Sequence, residues 1–388
     1  MLSDRLQSWI ASHPQAQVRF CDWMDWVLYD AEEGYYARSA ARIGPQGDFV
    51  TSVHLDPVFG RCLARQFAEM WSVLGQPQPF FLVEMGAGQG LLARDVLNSL
   101  QQDWPDLFAA VQYRLVERSP AQRQLQAKLL APWSDRLAWW DWPDLEQQEI
   151  VGCCFSNELV DAFPVHLLEW RDGAFQEVYL RLEEGQLVEE LGALSEEQVG
   201  RYFEDLGIQF STPPYPEGYR TEVNLAAQDW LATVAKGLKR GWLLTIDYGY
   251  DATRYYSPQR HQGTLQAYRQ QRFHNDVYQD PGSQDLTAHV NFTSLEQWGD
   301  RLGLRRQAFT RQGLFLMALG LGEVWSNLAS NATDIGAIQQ MMQRRQALQE
   351  LVNPIGLGNF GVLLQHCGLS ELEQQHVLQG FQEPAGLG

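Results

Sequence analysis

Lysine is nearly missing from this chain of 388 residues: it has three, Lys128, Lys236 and Lys239, so its basic side chains are almost all arginine. Asp and Glu outnumber Lys and Arg by 48 to 29, a formal net charge of −19. That balance argues against a nucleic-acid backbone as the main partner, because such binding rests on clustered Lys and Arg. Cysteine is sparse too. The five thiols (Cys21, Cys62, Cys153, Cys154, Cys367) are odd in number and form no C-x-x-C. This is neither a disulfide framework nor a zinc pattern, and it fits a reducing compartment. The eight histidines show no H-x-x-x-H spacing, so no metal is expected. No apolar run approaches the roughly 20 residues of a membrane span, and the opening MLSDRLQSWI lacks a basic and apolar leader. The expected location is the cytoplasm, with no membrane insertion. The sequence contains neither an internal repeat nor a low-complexity tract.

What is present is the composition of a globular protein of more than one unit, 45% hydrophobic and 12% aromatic with 14 Trp. Helical spacing of Leu6, Trp9, Ile10, Phe20, Trp23, Met24, Trp26 and Val27 predicts helices over residues 1–32. A long glycine-punctuated segment follows, then the helix VFGRCLARQFAEMWSVLG. From residue 76 on, near-continuous apolar strands (PFFLVEM, VQYRLVE, IVGCCFSN, GWLLTIDYGY) alternate with helices. Such alternation predicts an α/β, doubly wound parallel sheet covered on both faces. Residues 165–191 instead alternate in polarity and turn at Asp172-Gly173 and Glu184-Gly185, as antiparallel ribbons inserted into that unit do. The expected divisions are 1–75 (helices and a flap), 76–164 and 223–311 (the two core halves), 165–222 (ribbon and helix), 312–352 (helical insertion) and 353–388 (last strand and tail).

The stretch FFLVEMGAGQGLLARDVL places Gly86, Gly88 and Gly90 between a strand and a helix. Bare backbone there lets a ligand approach closely while amides at the helix start face a negative group. No Lys follows, so it is no phosphate P-loop. The third glycine of a dinucleotide fingerprint is replaced by Leu91. Glu84 precedes the loop, and Glu117 closes the next strand, 27 residues after Gly90. An acid at that point can accept both ribose hydroxyls of an adenosine-containing ligand; the alternative is that Glu117 caps the helix opening at Ser119-Pro120.

This acid–glycine–acid pattern resembles the class I S-adenosylmethionine-dependent methyltransferases. The whole chain is similar to one family among them, the MidA-like methyltransferases linked to assembly of respiratory complex I. The resemblance runs through GYY (34–36), GDF (47–49), VEMGAGQG, LVERSP, SNELVDAFPV (156–165), IDYGY (246–250), GTLQAY (263–268), DLTAHVNF (285–292) and GLGNFGVLLQ (356–365). It implies a Rossmann-like sheet of seven strands with the last antiparallel, and an added helical domain. It also implies S-adenosyl-L-methionine as cofactor and an arginine of a respiratory NADH dehydrogenase-type subunit as acceptor. The set assigned to the cofactor is Glu84, Gly86, Ala87, Gly88, Gly90, Glu117, Arg118 and Asn157. One departure is Asn291, where the family pattern has Asp.

The activated methyl of a sulfonium needs no metal, so positioning dominates the chemistry. A guanidinium stays protonated at neutral pH, and carboxylates must bind it and bias its charge toward one nitrogen. Asn157, Glu158 and Asp161 in FSNELVDAFP are candidates for that work, although acids there also cap helices. In DLTAHVNF the polar residues Asp285, Thr287, His289 and Asn291 alternate and share one face if extended; His289 is a candidate acid or base. Asp247 ends another strand. GPQGDFVTSVHLDPVFG, with Asp48, Thr51 and His54, reads as a lid. Two other functions stay open: a small-molecule O- or N-methyltransferase, and a client-binding assembly factor with little turnover. Whether the chain forms a homodimer stays open as well.

Overall fold

Phe80–Met85 (β1) forms a strand because its residues are nearly all apolar, and all but Phe81 are buried, as a strand covered on both faces requires. Val111–Val116 (β2), Leu137–Trp140 (β3), Ile150–Asn157 (β4), Leu238–Asp247 (β5), Arg305–Arg311 (β6) and Gly361–Cys367 (β7) complete the sheet. Its seven strands lie in the order β6-β7-β5-β4-β1-β2-β3. β1 to β5 run parallel, and β7, last in sequence, enters antiparallel between β5 and β6. The expected class, with its final strand reversed, is what the chain adopts. β3 has no counterpart among the predicted strands, since LAWW is short and only half-buried.

The order in which the chain fills the sheet reverses at β1, with β2 on one side and β4 on the other. Met85 pairs with both Val116 and Ser156, so the carboxyl ends of these three strands lie level. That edge is where open α/β sheets bind ligands. Behind it, helix Val58–Val73 turns Phe59, Leu63, Phe67 and Met70 inward, and helix Leu91–Asp103 contributes Leu92, Val96, Leu97 and Leu100. The rings of Phe67 and Phe155 sit 4.8 Å apart in this core. Each such side chain contributes roughly 1.5–3 kcal/mol on burial. Helices Gln312–Ala318, Leu321–Asn327 and Ile335–Val352 add Phe315, Leu316, Leu321, Leu348 and Leu351 to it.

This computed structural model describes residues 2–38, 51–210, 215–269, 272–328 and 335–384. They fall into two compact units, one of 50–159, 231–248 and 299–388 that carries the sheet above, and one of 1–49, 160–230 and 249–298. In the second unit, strands Gln17–Arg19, His166–Arg171, Ala174–Glu183, Gln186–Gly192 and Arg220–Val223 form an antiparallel sheet. The predicted ribbon is there. Asp172 and Gly173 have φ of 51° and 80°, and Glu184 and Gly185 of 50° and 78°, the left-handed pairs that two-residue hairpins need. Helix Phe20–Tyr29 buries Trp23, Met24 and Val27 in one cluster with Leu167, Val178 and Leu180 of this sheet.

The segment DLTAHVNF is not one extended face. Asp285–Thr287 pairs with Gln266–Arg269, whereas Val290–Asn291 pairs with Gly249–Tyr250, so the strand breaks at Ala288–His289. Among the described residues no helix is long and apolar enough to cross a membrane.

Candidate active site

The loop after β1 enters helix Leu91–Asp103 through three left-handed glycines, with φ of 72° at Gly86, 52° at Gly88 and 81° at Gly90. A side chain is strained at each. A Cβ on Gly86 would lie 2.7 Å from Leu159 Cδ1, so this backbone presses against the exit of β4. A Cβ on Gly88 would meet nothing within 4 Å, leaving room for a ligand against bare amides. Gly86 N donates to Val116 O at 2.9 Å and Gly90 N to Ala87 O at 2.8 Å, which fixes the turn.

Glu117, just beyond β2, accepts from Ser119 N at 2.9 Å and from Gln126 Nε2 at 3.2 Å. Burial pushes its carboxyl above the ordinary range, against the pull of these donors. The helix Pro120–Leu129 is capped by the Ser119 hydroxyl, which accepts from Gln122 N at 3.3 Å, while Glu117 holds the backbone N–H of that cap residue. Gln126 is the residue that sequence reasoning passes over. Its amide nitrogen also donates to Gly88 O at 2.7 Å, and its oxygen accepts from Trp139 Nε1 at 2.8 Å. One buried glutamine therefore ties the glycine loop to the acid. One turn earlier on that helix face, Gln122 is 2% exposed, and its side-chain N and O have no hydrogen-bond partner among the described residues. A buried amide so orphaned is costly unless a ligand or water satisfies it.

Glu84 sits behind the loop, 4% exposed, and accepts from Tyr113 OH at 2.5 Å. Burial raises its carboxyl to about 8; the Tyr113 bond opposes this and the Glu117 charge adds to it. Ala87 is buried, and Arg118 is exposed at the exit of β2.

At the end of β4, Asn157 Nδ2 donates to Glu158 Oε1 at 3.0 Å. Glu158 has φ of 52°, an unusual conformation for a residue with a Cβ, and its N–H donates to Ile246 O at 2.9 Å. Strain of this kind gathers at functional sites. Asp247 ends β5 fully buried and accepts from Tyr248 N at 2.9 Å. Thr51 Oγ1 and His54 Nδ1 bond at 2.8 Å at the start of the short helix Ser52–Leu55, and burial lowers the His54 pKa. Asp48 lies outside the described residues.

The remaining candidates belong to the other unit. Asp161 lies buried in the turn Val160–Ala162, its carbonyl accepting from Ala288 N at 2.9 Å. His289 stacks on Tyr250, centroids 5.0 Å apart and planes 9° apart. Burial first, then Arg260 and Arg254, push its pKa down to about 4, so at neutral pH it carries no proton to donate as an imidazolium. Asn291 is a cap: its Oδ1 accepts from Ser294 N at 3.2 Å at the start of helix Phe292–Arg301. Asn and Asp cap equally well, so the departure from the family pattern preserves that bond. Cys21, His166 and Glu177 also place metal-type donor atoms within 4.8 Å of one another, Cys21 coming from a segment remote in sequence from the other two. There Glu177 already bonds His166 Nδ1 at 2.8 Å and accepts from Ser195 N at 2.6 Å, which ties neighbouring segments together.

Bare amides after β1, an acid after β2 and a polar exit from β4 all lie at the edge where strand order reverses, the place where open α/β sheets take their ligands. A family model described as "Putative S-adenosyl-L-methionine-dependent methyltransferase" matches residues 62–310, more than half of the chain, and the chain belongs to this family. It is 28% identical to a superfamily member from Burkholderia thailandensis crystallised with S-adenosyl-homocysteine, at a TM-score of 0.81 over 97% of this chain and 93% of that one. It is 29% identical to the protein arginine methyltransferase NDUFAF7 homolog, mitochondrial, of Drosophila melanogaster, over 78% of this chain and 71% of that protein. The human protein arginine methyltransferase NDUFAF7, mitochondrial, is 25% identical over 90% and 80%.

S-adenosyl-L-methionine is thus the cofactor and methyl transfer the reaction. The residues present fit it: open space over Gly88, an acid at Glu117 and an unsatisfied amide at Gln122. The cytoplasmic assignment is overturned, because the curated relatives are mitochondrial proteins. Free thiols fit any reducing compartment and do not single out the cytoplasm.

Proposed function

We propose that the methyl acceptor is an arginine of a protein, within a subunit of a respiratory NADH dehydrogenase-type complex during its assembly. The observation that carries this reading is the strained Glu158, bonded to Asn157 at the exit of β4 next to the glycine loop. The relatives' names, which specify arginine, support it. When bound, S-adenosyl-L-methionine supplies a methyl group already activated by its sulfonium. Glu117, the loop amides and Gln122 hold the adenosine end. Asn157 orients the Glu158 carboxylate, which accepts from the guanidinium. That pairing draws the positive charge toward the bound nitrogen and leaves the opposite one more nucleophilic. The methyl carbon would leave sulfur for that nitrogen, and the proton that the nitrogen gives up would pass to water.

The test uses methyl-labelled cofactor and an extract lacking this protein, with wild-type protein or Glu158→Gln added back. A labelled protein band that yields methylarginine on hydrolysis, lost with Glu158→Gln, is expected. Label in solvent-extractable material would indicate a small-molecule acceptor instead. Client binding without label would indicate an assembly factor.

A further inference from the structure

In a chain with this excess of acid, arginines find carboxylates readily. Arg5, Arg19, Arg171, Arg201 and Arg220 in the second unit each hold one within 4.0 Å. Arg254 and Arg260 of the same unit do not: among the described residues neither guanidinium has an ion-pair partner. Their guanidinium carbons lie instead 4.4 and 4.3 Å from the centroid of the Tyr250 ring. The nearest acid in sequence, Asp251, spends an oxygen on Arg254 N at 3.0 Å, capping the helix Ala252–Tyr255. Arg260 Nε is buried with no hydrogen-bond partner, while Arg254 is exposed. His289, stacked on the same ring, is neutral and offers no counter-charge.

Stacking on a ring orders a guanidinium before any anion arrives, and its planar fork matches a carboxylate. We infer that Tyr250, Arg254 and Arg260 form a docking site for a carboxylate side chain, Asp or Glu, of the polypeptide substrate. This rests on the reading that the acceptor is a protein. In a chain of charge −19, two arginines that face a ring and, among the described residues, no carboxylate are a local cationic patch, and an acidic side chain of a polypeptide complements it. The exposed Arg254 opens the pair to the surface, where such a segment would lie.

The test is fluorescence anisotropy on the full chain with a labelled hexaglutamate peptide, a hexaserine control and inorganic phosphate as competitor. Wild-type protein is expected to bind hexaglutamate and not hexaserine, more weakly as salt rises. Arg254→Ala and Arg260→Ala should each weaken binding about tenfold, as loss of a charge-assisted hydrogen bond predicts. Arg260→Lys, which keeps the charge, should retain part of it, and affinity for S-adenosyl-homocysteine should stay unchanged throughout. Equal binding by the double alanine variant, no binding by wild type, or displacement by phosphate as effective as by unlabelled peptide would each overturn the inference. No methyl transfer is read, so a wrong acceptor assignment leaves this result intact and shows separately.

Discussion

Replacing Glu158 by glycine separates backbone strain from chemistry. The residue has φ of 52°, where a side chain costs roughly 1–2 kcal/mol that glycine does not incur. Glycine returns part of this through unfolded-state freedom, roughly 0.5–1 kcal/mol. The lost bond from Asn157 Nδ2, 3.0 Å long, removes a further ~1 kcal/mol. The backbone bond from residue 158 to Ile246 O survives. These contributions nearly cancel, so Glu158→Gly should unfold in urea within about 1 kcal/mol of wild type. Single-turnover methyl transfer should nevertheless fall by at least about a hundredfold, as removal of a transition-state partner does. Glu158→Gln, which keeps the strain and the shape, should lose transfer as well. A glycine variant that transfers normally would refute the role of the carboxylate. One destabilised by several kcal/mol would refute the cancellation.

Three other outcomes follow from the geometry. Asn291→Ala should lose about 1 kcal/mol of urea stability with the cap to Ser294 N, whereas Asn291→Asp, which keeps that acceptor and gives up the 3.4 Å bond from Nδ2 to the Tyr202 hydroxyl, should lose less. Gln126→Ala breaks the bonds to Gly88 O, Glu117 and Trp139; calorimetry with S-adenosyl-homocysteine should show about tenfold weaker binding. Glu84, raised from an ordinary 4.5 to about 8, gives stability a pH dependence. Folding takes up a proton between those values, so this contribution is complete below about 4.5 and is lost as pH rises through about 8. Glu84→Gln should flatten the unfolding midpoint across that window.

The core sheet is legible in the sequence because its strands are apolar runs set between glycine turns. β1 shows this, with its burial and its punctuation both written in FFLVEMGAGQG. The ribbon turns are legible because Asp-Gly and Glu-Gly pairs mark left-handed positions. Strands defined by their partners are not: LAWW owes its place to β2, and RTEV to the strand His166–Arg171. In the site, glycines and acids at strand ends announce themselves by type and spacing. Gln126 does not, since a glutamine in a polar helix looks solvent-facing until its carbonyl partner at Gly88, 38 residues away, is brought against it. The protonation state of His289 is not legible either, because a free histidine titrates near neutrality, while burial beside two arginines moves this one down to about 4. The strain at Glu158 carries no signature in the letters SNELVD.

The most direct measurement is calorimetric titration of S-adenosyl-L-methionine into wild-type protein and Glu117→Ala, with far-UV circular dichroism as the check on folding. Loss of a charged acceptor should raise Kd about 10- to 100-fold at unchanged circular dichroism. Equal Kd for both proteins would contradict the assignment of this crevice to the adenosyl cofactor.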